Sequence, residues 1–333
     1  MPSCHMLSQR LADDVATALG LILRHLAGSG YSFTTPTPLT HQRVLAHRSP
    51  QMAATLRDVF GWNMPFKIAT CVGMTRELLA AMRGAGVLQT HGDVMRCLVR
   101  VGNIGDELFV HSAYPTSQDD AVFFGPDTYR FAQFVQQGVA TFKSDGSQPV
   151  RMLDVGCGSG AGGIVAAQAL AQSGPVEVCM NDINPLALQY TAVNAAFAGV
   201  PVKPALGNAL RAVKGDFDLI ISNPPYLDDT AQRAYRHGGA GLGRALSVRI
   251  GQEALTRLAP GGRLLLYTGV AIVGGVDAFL IDMQPLLTDA KFEWSYSEID
   301  PDVFGEELDQ PIYAHIDRIA AVGLTVTRKT GAQ

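Results

Sequence analysis

The feature that most constrains this chain is a change of rhythm near residue 120. Beyond it, short apolar runs alternate with stretches of helical spacing. "VRMLD" at 150–154 precedes "AGGIVAAQALAQ", "VEVCMND" at 176–182 precedes "PLALQYTAVNAAFAG", and "FDLIIS" at 217–222 precedes "SVRIGQEALTRLA", after which comes "GRLLLYT". Continuous apolar runs suit strands covered on both faces, and intervening helices supply the crossovers of a parallel sheet. Pro185 after Asn184 opens one helix, and Pro260-Gly261-Gly262 closes another. The pattern predicts an α/β domain with a doubly wound, mostly parallel sheet over residues 120–333.

Residues 1–115 read differently. Residues 7–28 have helical apolar spacing and end at Gly28 and Gly30. Ser49 and Pro50 read as an N-cap and first turn of a helix through about Phe60. Thr75 caps "RELLAAMRGAGVL", and "VMRCLVRVGNIGDELFVH" gives two strand-like runs around one turn, a hairpin. The expectation is a smaller helical, winged-helix-like domain serving as a cap or in substrate recognition. "SAYPTSQDD" at 112–120 reads as the linker.

Composition narrows the partners. No continuous apolar run reaches the ~18 residues that span a bilayer, and "MPSCHMLSQRLADD" has no leader pattern, so a cytoplasmic protein without a membrane partner is expected. The five cysteines are scattered and form no C-x-x-C pair, which argues against a disulfide framework and against a metal site. Residues 1–120 carry ten Lys/Arg against nine Asp/Glu, leaving 16 against 21 in the remainder. Neither part has the basic excess of a surface that tracks phosphates, so nucleic acid is disfavoured as a partner.

"LDVGCGSGAGG" joins the first strand to its helix. Gly156, Gly158 and Gly160 let the backbone turn tightly and approach a ligand. Read from Gly158 the residues also spell G-x-G-x-x-G, a dinucleotide fingerprint. Two carboxylates discriminate between ligands. Asp154 at the strand end would oppose a pyrophosphate but suits a cation or amine, and Asp182 at the next strand tip can grip both hydroxyls of a ribose. A ribose, an amino group and no phosphate describe S-adenosylmethionine (SAM).

A third strand tip carries "NPPY". Pro224 and Pro225 stop the strand abruptly. They present the Asn223 carboxamide and the Pro224 carbonyl, two acceptors able to fix one N–H₂ group, with Tyr226 as an aromatic wall. Phe123 and Tyr129 in "FFGPDTYRF" are weaker candidates for closing over the cofactor or substrate. The acidic run 298–311 reads as solvated charge, and His237 as an isolated surface or strand residue.

Over residues ~123–330 the motifs resemble those of class I SAM-dependent methyltransferases: "DVGCGSG" the glycine motif, "NDIN" the ribose motif, "GNAL" the adenine-lining segment and "NPPY" the catalytic motif. The resemblance implies a seven-stranded Rossmann-like sheet. It places Gly156, Gly158 and Gly160 beside the methionine part of SAM, Asp182 on the ribose, Ile183 on the adenine, and Asn208 and Ala209 at the adenine edge. With "GGAGLGRALSVRI" downstream, the chain is similar to release-factor glutamine N5-methyltransferases. It departs from them in its N-terminal residues and in having Tyr129, where an acidic residue is usual, after Thr128. The expected activity is N-methylation of an amide or amine nitrogen of a protein or small molecule. Alternatives are cyclisation of SAM as sole substrate to azetidine-2-carboxylate, nucleic-acid N-methylation, and a non-catalytic nucleotide-binding module.

Overall fold

A computed structural model describes residues 4–48, 51–116, 118–143, 148–229, 233 and 235–331, with side chains from residue 12 onward. The N-terminal part contains α1 (Cys4–Gly28), α2 (Pro38–Arg48), α3 (Leu56–Phe60) and α4 (Arg76–Gly84). Thr75 caps α4, its hydroxyl accepting from the Leu78 N–H at 3.1 Å. The helix expected from Ser49–Pro50 instead begins at Leu56. Thr55 and Asp58 form a reciprocal capping box there, which satisfies two helix-end donors that Ser49 has no Glu or Gln partner to match. Ser49 and Pro50 themselves lie outside the described residues.

Two hairpins follow, where one was expected. The run beginning at Val94 breaks at Leu98, so β2 (Val94–Cys97) folds back on β1 (Leu88–His91). β3 (Val99–Ile104) then pairs with β4 (Glu107–Ser112). The N-terminal core of Leu19, Ile22, Phe33, Phe60 and Phe66 is continuous with Tyr190 and Val193, which belong to the sheet domain.

That domain runs α5 (Pro126–Ala140), β5 (Val150–Val155), α6 (Ala161–Ala171), β6 (Val176–Asp182), α7 (Pro185–Phe197), β7 (Val202–Leu206), β8 (Phe217–Ser222), α8 (Ala245–Leu255), β9 (Leu258–Val273), β10 (Val276–Asp277), α9 (Ala278–Leu287), β11 (Phe292–Asp300) and β12 (Arg318–Arg328). Seven strands form one path in the order β7-β6-β5-β8-β9-β12-β11, and the short β10 pairs only with β9. The five strands from β7 to β9 are parallel, and β12 and β11 are antiparallel. Successive residues of β8 supply opposite layers: Leu219 and Ile221 face one cluster with α5 and α6, Ile220 the other with α8 and α9. Both faces are covered, which is why the strand sequences are continuously apolar. Truncating Ile220 or Ile221, both fully buried, to alanine would cost about 2–5 kcal/mol. Strand order reverses between β5 and β8, so their C-terminal ends open the crevice where ligands of such sheets bind. Among the described residues no helix is long and apolar enough to cross a membrane.

Candidate active site

The loop after β5 turns on left-handed glycines, with φ of +71°, +56° and +79° at Gly156, Gly158 and Gly160. It is fastened from behind. The Gly156 and Cys157 N–H groups donate to the Asn181 carbonyl at 2.9 and 3.0 Å. The Gly158 N–H donates to Asp182 Oδ2 and the Asn184 N–H to Asp182 Oδ1, both at 2.9 Å. Each Asp182 oxygen therefore keeps one acceptor site for a ligand. Burial raises the Asp182 pKa, and these N–H groups with that of Ile183 oppose the shift. Asn181 Nδ2 donates to the Ala205 and Gly207 carbonyls at 2.8 and 2.9 Å, fixing the loop that delivers Asn208 and Ala209. Arg249 from α8 donates to Asn208 Oδ1 at 2.6 Å.

At the tip of β8, Ser222 Oγ donates to the Val155 carbonyl at 2.8 Å, locking it to β5. Asn223 Nδ2 donates to Asp127 Oδ2 at 3.2 Å, and the Tyr267 hydroxyl donates to Asp127 Oδ1 at 2.5 Å. Asp127 is 5% exposed. Burial raises its pKa, while the bonds from Tyr267 and Asn223 favour the ionised form. The buried Tyr226 hydroxyl lies within electrostatic reach of the same carboxylate without a well-formed bond. Since Asp127 takes the Asn223 amide N–H, the carboxamide oxygen is left without a protein partner, as is the Pro224 carbonyl, among the described residues. Gly243 and Gly269 make this packing possible. A Cβ on either would fall 2.1 Å from Tyr226, at its carbonyl oxygen and its ring respectively. The "GGAGLGRALSVRI" segment is thus a close-contact support for the NPPY loop.

One cleft of about 620 Å³ unites most of the expected residues: Gly156, Gly158, Asp182, Ile183, Asn208, Ala209, Asn223, Pro224, Tyr226 and Phe123 all line it. The volume is in the usual range for small-molecule sites. Ile183 is 58% exposed, an apolar rim open to a ligand.

Three expected residues do not line the cleft. Asp154 sits behind the loop, where its Oδ2 accepts from the Gly163 N–H at 2.9 Å and its Oδ1 has no partner. Burial pushes its pKa up to about 7. Gly160 is the left-handed N-cap of α6 and shapes the turn. The Tyr129 hydroxyl accepts from the Thr35 N–H at 2.9 Å, tying α5 to the N-terminal domain.

Other residues join the site unannounced. Tyr114, Pro115 and Thr116 of the expected linker form part of the wall, as do Tyr235 and His237. Phe304, from the acidic run, also lines it and stands edge-on to Tyr226 at 5.8 Å. That run is only in part solvated: Asp302, Glu306 and Asp309 are exposed, whereas Glu307 is 5% exposed and bonds Arg236, and Asp300 bonds Arg130 at 2.7 Å. Asp127 and Tyr267 are the principal omissions. The signal for Asp127 is in "GPDTYRF", where the carboxylate precedes the threonine.

A parallel sheet whose switch point carries a glycine loop, an acidic strand tip and an NPPY turn defines a fold class: the sheet domain resembles the Rossmann-like domain of class I SAM-dependent methyltransferases. Residues 139–269 match the methyltransferase small domain family. More particularly, the chain is similar to release factor glutamine methyltransferases. It is 34% identical over 162 residues to that of Deinococcus radiodurans, covering 47% of this chain and 55% of that protein. Against that of Cereibacter sphaeroides it is 36% identical over 157 residues, 41% of this chain and 55% of the other. The ribosomal RNA small subunit methyltransferase C of Pasteurella multocida is 36% identical over 121 residues, 35% of this chain and 32% of that protein. The chain thus spans about half the length of these relatives, or less.

Proposed function

We propose that the protein is a SAM-dependent N-methyltransferase whose acceptor presents an N–H₂ group to Asn223. The observation that carries this reading is the Asn223–Asp127 bond, which commits the amide N–H inward and turns the carboxamide oxygen into an acceptor on the cleft wall. The residues fit the cofactor. Asp182 keeps acceptor capacity for a ribose, Ile183 offers an apolar face, and Asn208–Ala209 bound the neighbouring rim. Bound there, SAM supplies a methyl group activated by its sulfonium charge.

The chain's own residues then position the nucleophile. An amide nitrogen is weakly nucleophilic because its lone pair is delocalised. Asn223 Oδ1 and the Pro224 carbonyl, each accepting one hydrogen, hold that nitrogen with its lone pair directed along the cleft. Fixing an approach geometry can account for several kcal/mol of a barrier. Pro224 and Pro225 keep the acceptors from relaxing, and the Tyr226 ring closes one side. The named relatives act on a release-factor glutamine and on ribosomal RNA. The non-basic charge balance favours an amide or amine of a protein or small molecule here. Asn223→Ala should lower turnover roughly 10²-fold or more with SAM affinity nearly unchanged. Wild-type turnover in this variant would remove the basis of the reading.

A further inference from the structure

A second group of buried polar side chains lies in the N-terminal domain, where the β3–β4 hairpin meets α2 and the 112–116 segment. Arg100 and His111 are directly opposite in register, so their side chains share one face of the hairpin. They are 5% and 1% exposed. Arg100 Nε donates to the Gly61 carbonyl at 3.0 Å, whereas its Nη2 is buried with no partner. The Trp62 indole N–H is also buried and unpartnered. His41, fully buried between Trp62 and Tyr114 at ring distances of 5.4 and 4.2 Å, has no well-formed bond at either nitrogen. His111 Nδ1 donates to the Ser112 carbonyl at 3.1 Å, which leaves Nε2 unpartnered.

Such groups are costly. Buried donors without acceptors each cost about 1–3 kcal/mol, and an unpaired buried charge costs more. No carboxylate pairs with Arg100 among the described residues. The groups acting on it are Tyr31, Tyr129 and Tyr114, and burial pushes its pKa down to about 10, so it is charged at neutral pH. Burial and Arg100 lower the pKa of His41 to about 4 and that of His111 well below its ordinary value, so both are neutral. The net charge of the group is therefore +1. A planar monoanion balances it, while a dianion would leave an excess negative charge in an apolar surround.

The group adjoins the cleft. Tyr114, whose ring lies on His41, is part of the cleft wall, as is Pro38 at the start of α2. Gly102, next on the Arg100 face, lets Thr35 and Phe124 pack closely beside it: a Cβ there would lie 2.8 Å from Thr35 Oγ1 and 2.9 Å from the Phe124 ring.

We propose that Arg100, Trp62 and His41 form a subsite for a carboxylate group at the N-terminal-domain end of the cleft. Arg100 Nη2 and the Trp62 N–H supply donors, and the neutral His41 imidazole supplies a third. Joined to the preceding reading, this makes the acceptor a carboxylate-bearing molecule; only that extension rests on it.

The test is thermal denaturation of the full chain with benzoate, with its neutral isostere benzamide and with inorganic phosphate, each with and without S-adenosylhomocysteine. Benzoate should raise Tm in a saturable way, with benzamide and phosphate without effect. Arg100→Met should abolish the benzoate shift and keep the S-adenosylhomocysteine shift. It should also be at least as stable as wild type without ligand, because it removes an unpaired buried charge. Arg100→Lys, which keeps the charge and loses the fork, should weaken benzoate about tenfold, and serves if the methionine variant does not fold. Equal responses to benzoate and benzamide, or an undiminished benzoate shift in either variant, would overturn the subsite. So would a crystal grown with benzoate that shows only water on Nη2. Loss of the S-adenosylhomocysteine shift in wild type would instead count against the cofactor reading alone.

Discussion

Two buried polar clusters flank the cleft, and they are built on opposite principles. Around Asp127 the carboxylate accepts from both Asn223 and Tyr267. Around Arg100 the donors Nη2 and Trp62 Nε1 end on nothing. In the first cluster both carboxylate oxygens are engaged, with only the Tyr226 hydroxyl short of a well-formed bond, and it works by holding Asn223 in one orientation. The second is incomplete by itself and gains its partners only from outside. A satisfied network rigidifies; an unsatisfied one raises the energy of the free protein and returns it on binding. The difference assigns positioning to the strand tip and recognition to the domain junction.

The comparison can be broken at three points, in order of expected effect. Asp127→Asn keeps the shape but removes the charge and replaces one acceptor oxygen by an N–H₂ group, which either faces Asn223 Nδ2 donor to donor or forces the Tyr267 hydroxyl to accept instead of donate. Turnover should fall about 10²-fold, with the KM for SAM unchanged, as expected when orientation alone is lost. A rise in that KM with kcat intact would make Asp127 part of cofactor binding instead. Next, Asp182→Ala should cancel the stabilisation by S-adenosylhomocysteine, about 2.7 kcal/mol at 100 times its Kd. NAD should give no comparable shift in wild type, and a Tm rise with NAD as large as with the adenosyl ligand would refute the assignment.

The third point is pH. His41 is held neutral in the folded chain, with a pKa of about 4, below its unfolded value of about 6.5. Unfolded chains therefore bind more protons between these values, and stability is complete above pH 6.5 and lost as pH falls toward 4. The loss from pH 7 to pH 5 amounts to about 2 kcal/mol for this residue, with His111 acting in the same direction. His41→Phe should flatten the urea midpoint over that interval. An equally steep acid loss in the variant would show that His41 is not the group responsible.

What could be read from sequence follows the range of the interactions. The glycine loop, Asp182 and the NPPY turn are encoded within a few residues of a strand end, so their placement was legible. Asp127 and Tyr267 are 140 positions apart, and a tyrosine inside "GRLLLYT" reads as core until its hydroxyl is seen to have a partner. Asp154 was legible as a strand-tip carboxylate, yet its side chain turns behind the loop to the Gly163 N–H. Tyr114–Thr116 read as a connection because proline and polar residues mark turns, a signal silent about what the turn encloses. The helix starts instead at the Thr55–Asp58 box, a local signal that a search for Ser or Thr before proline passes over because it does not look for the reciprocal partner three residues on.

Whether Asn223 holds an external nitrogen for methyl transfer is decided by the nucleoside that the wild-type protein releases from SAM, followed by mass spectrometry with and without amide and amine acceptors. S-Adenosylhomocysteine should form, only when an acceptor is present and about 10²-fold more slowly in Asn223→Ala. Methylthioadenosine released from SAM alone, and lost in Asn223→Ala, would contradict transfer to an external nitrogen, because the nitrogen held by Asn223 would then be SAM's own.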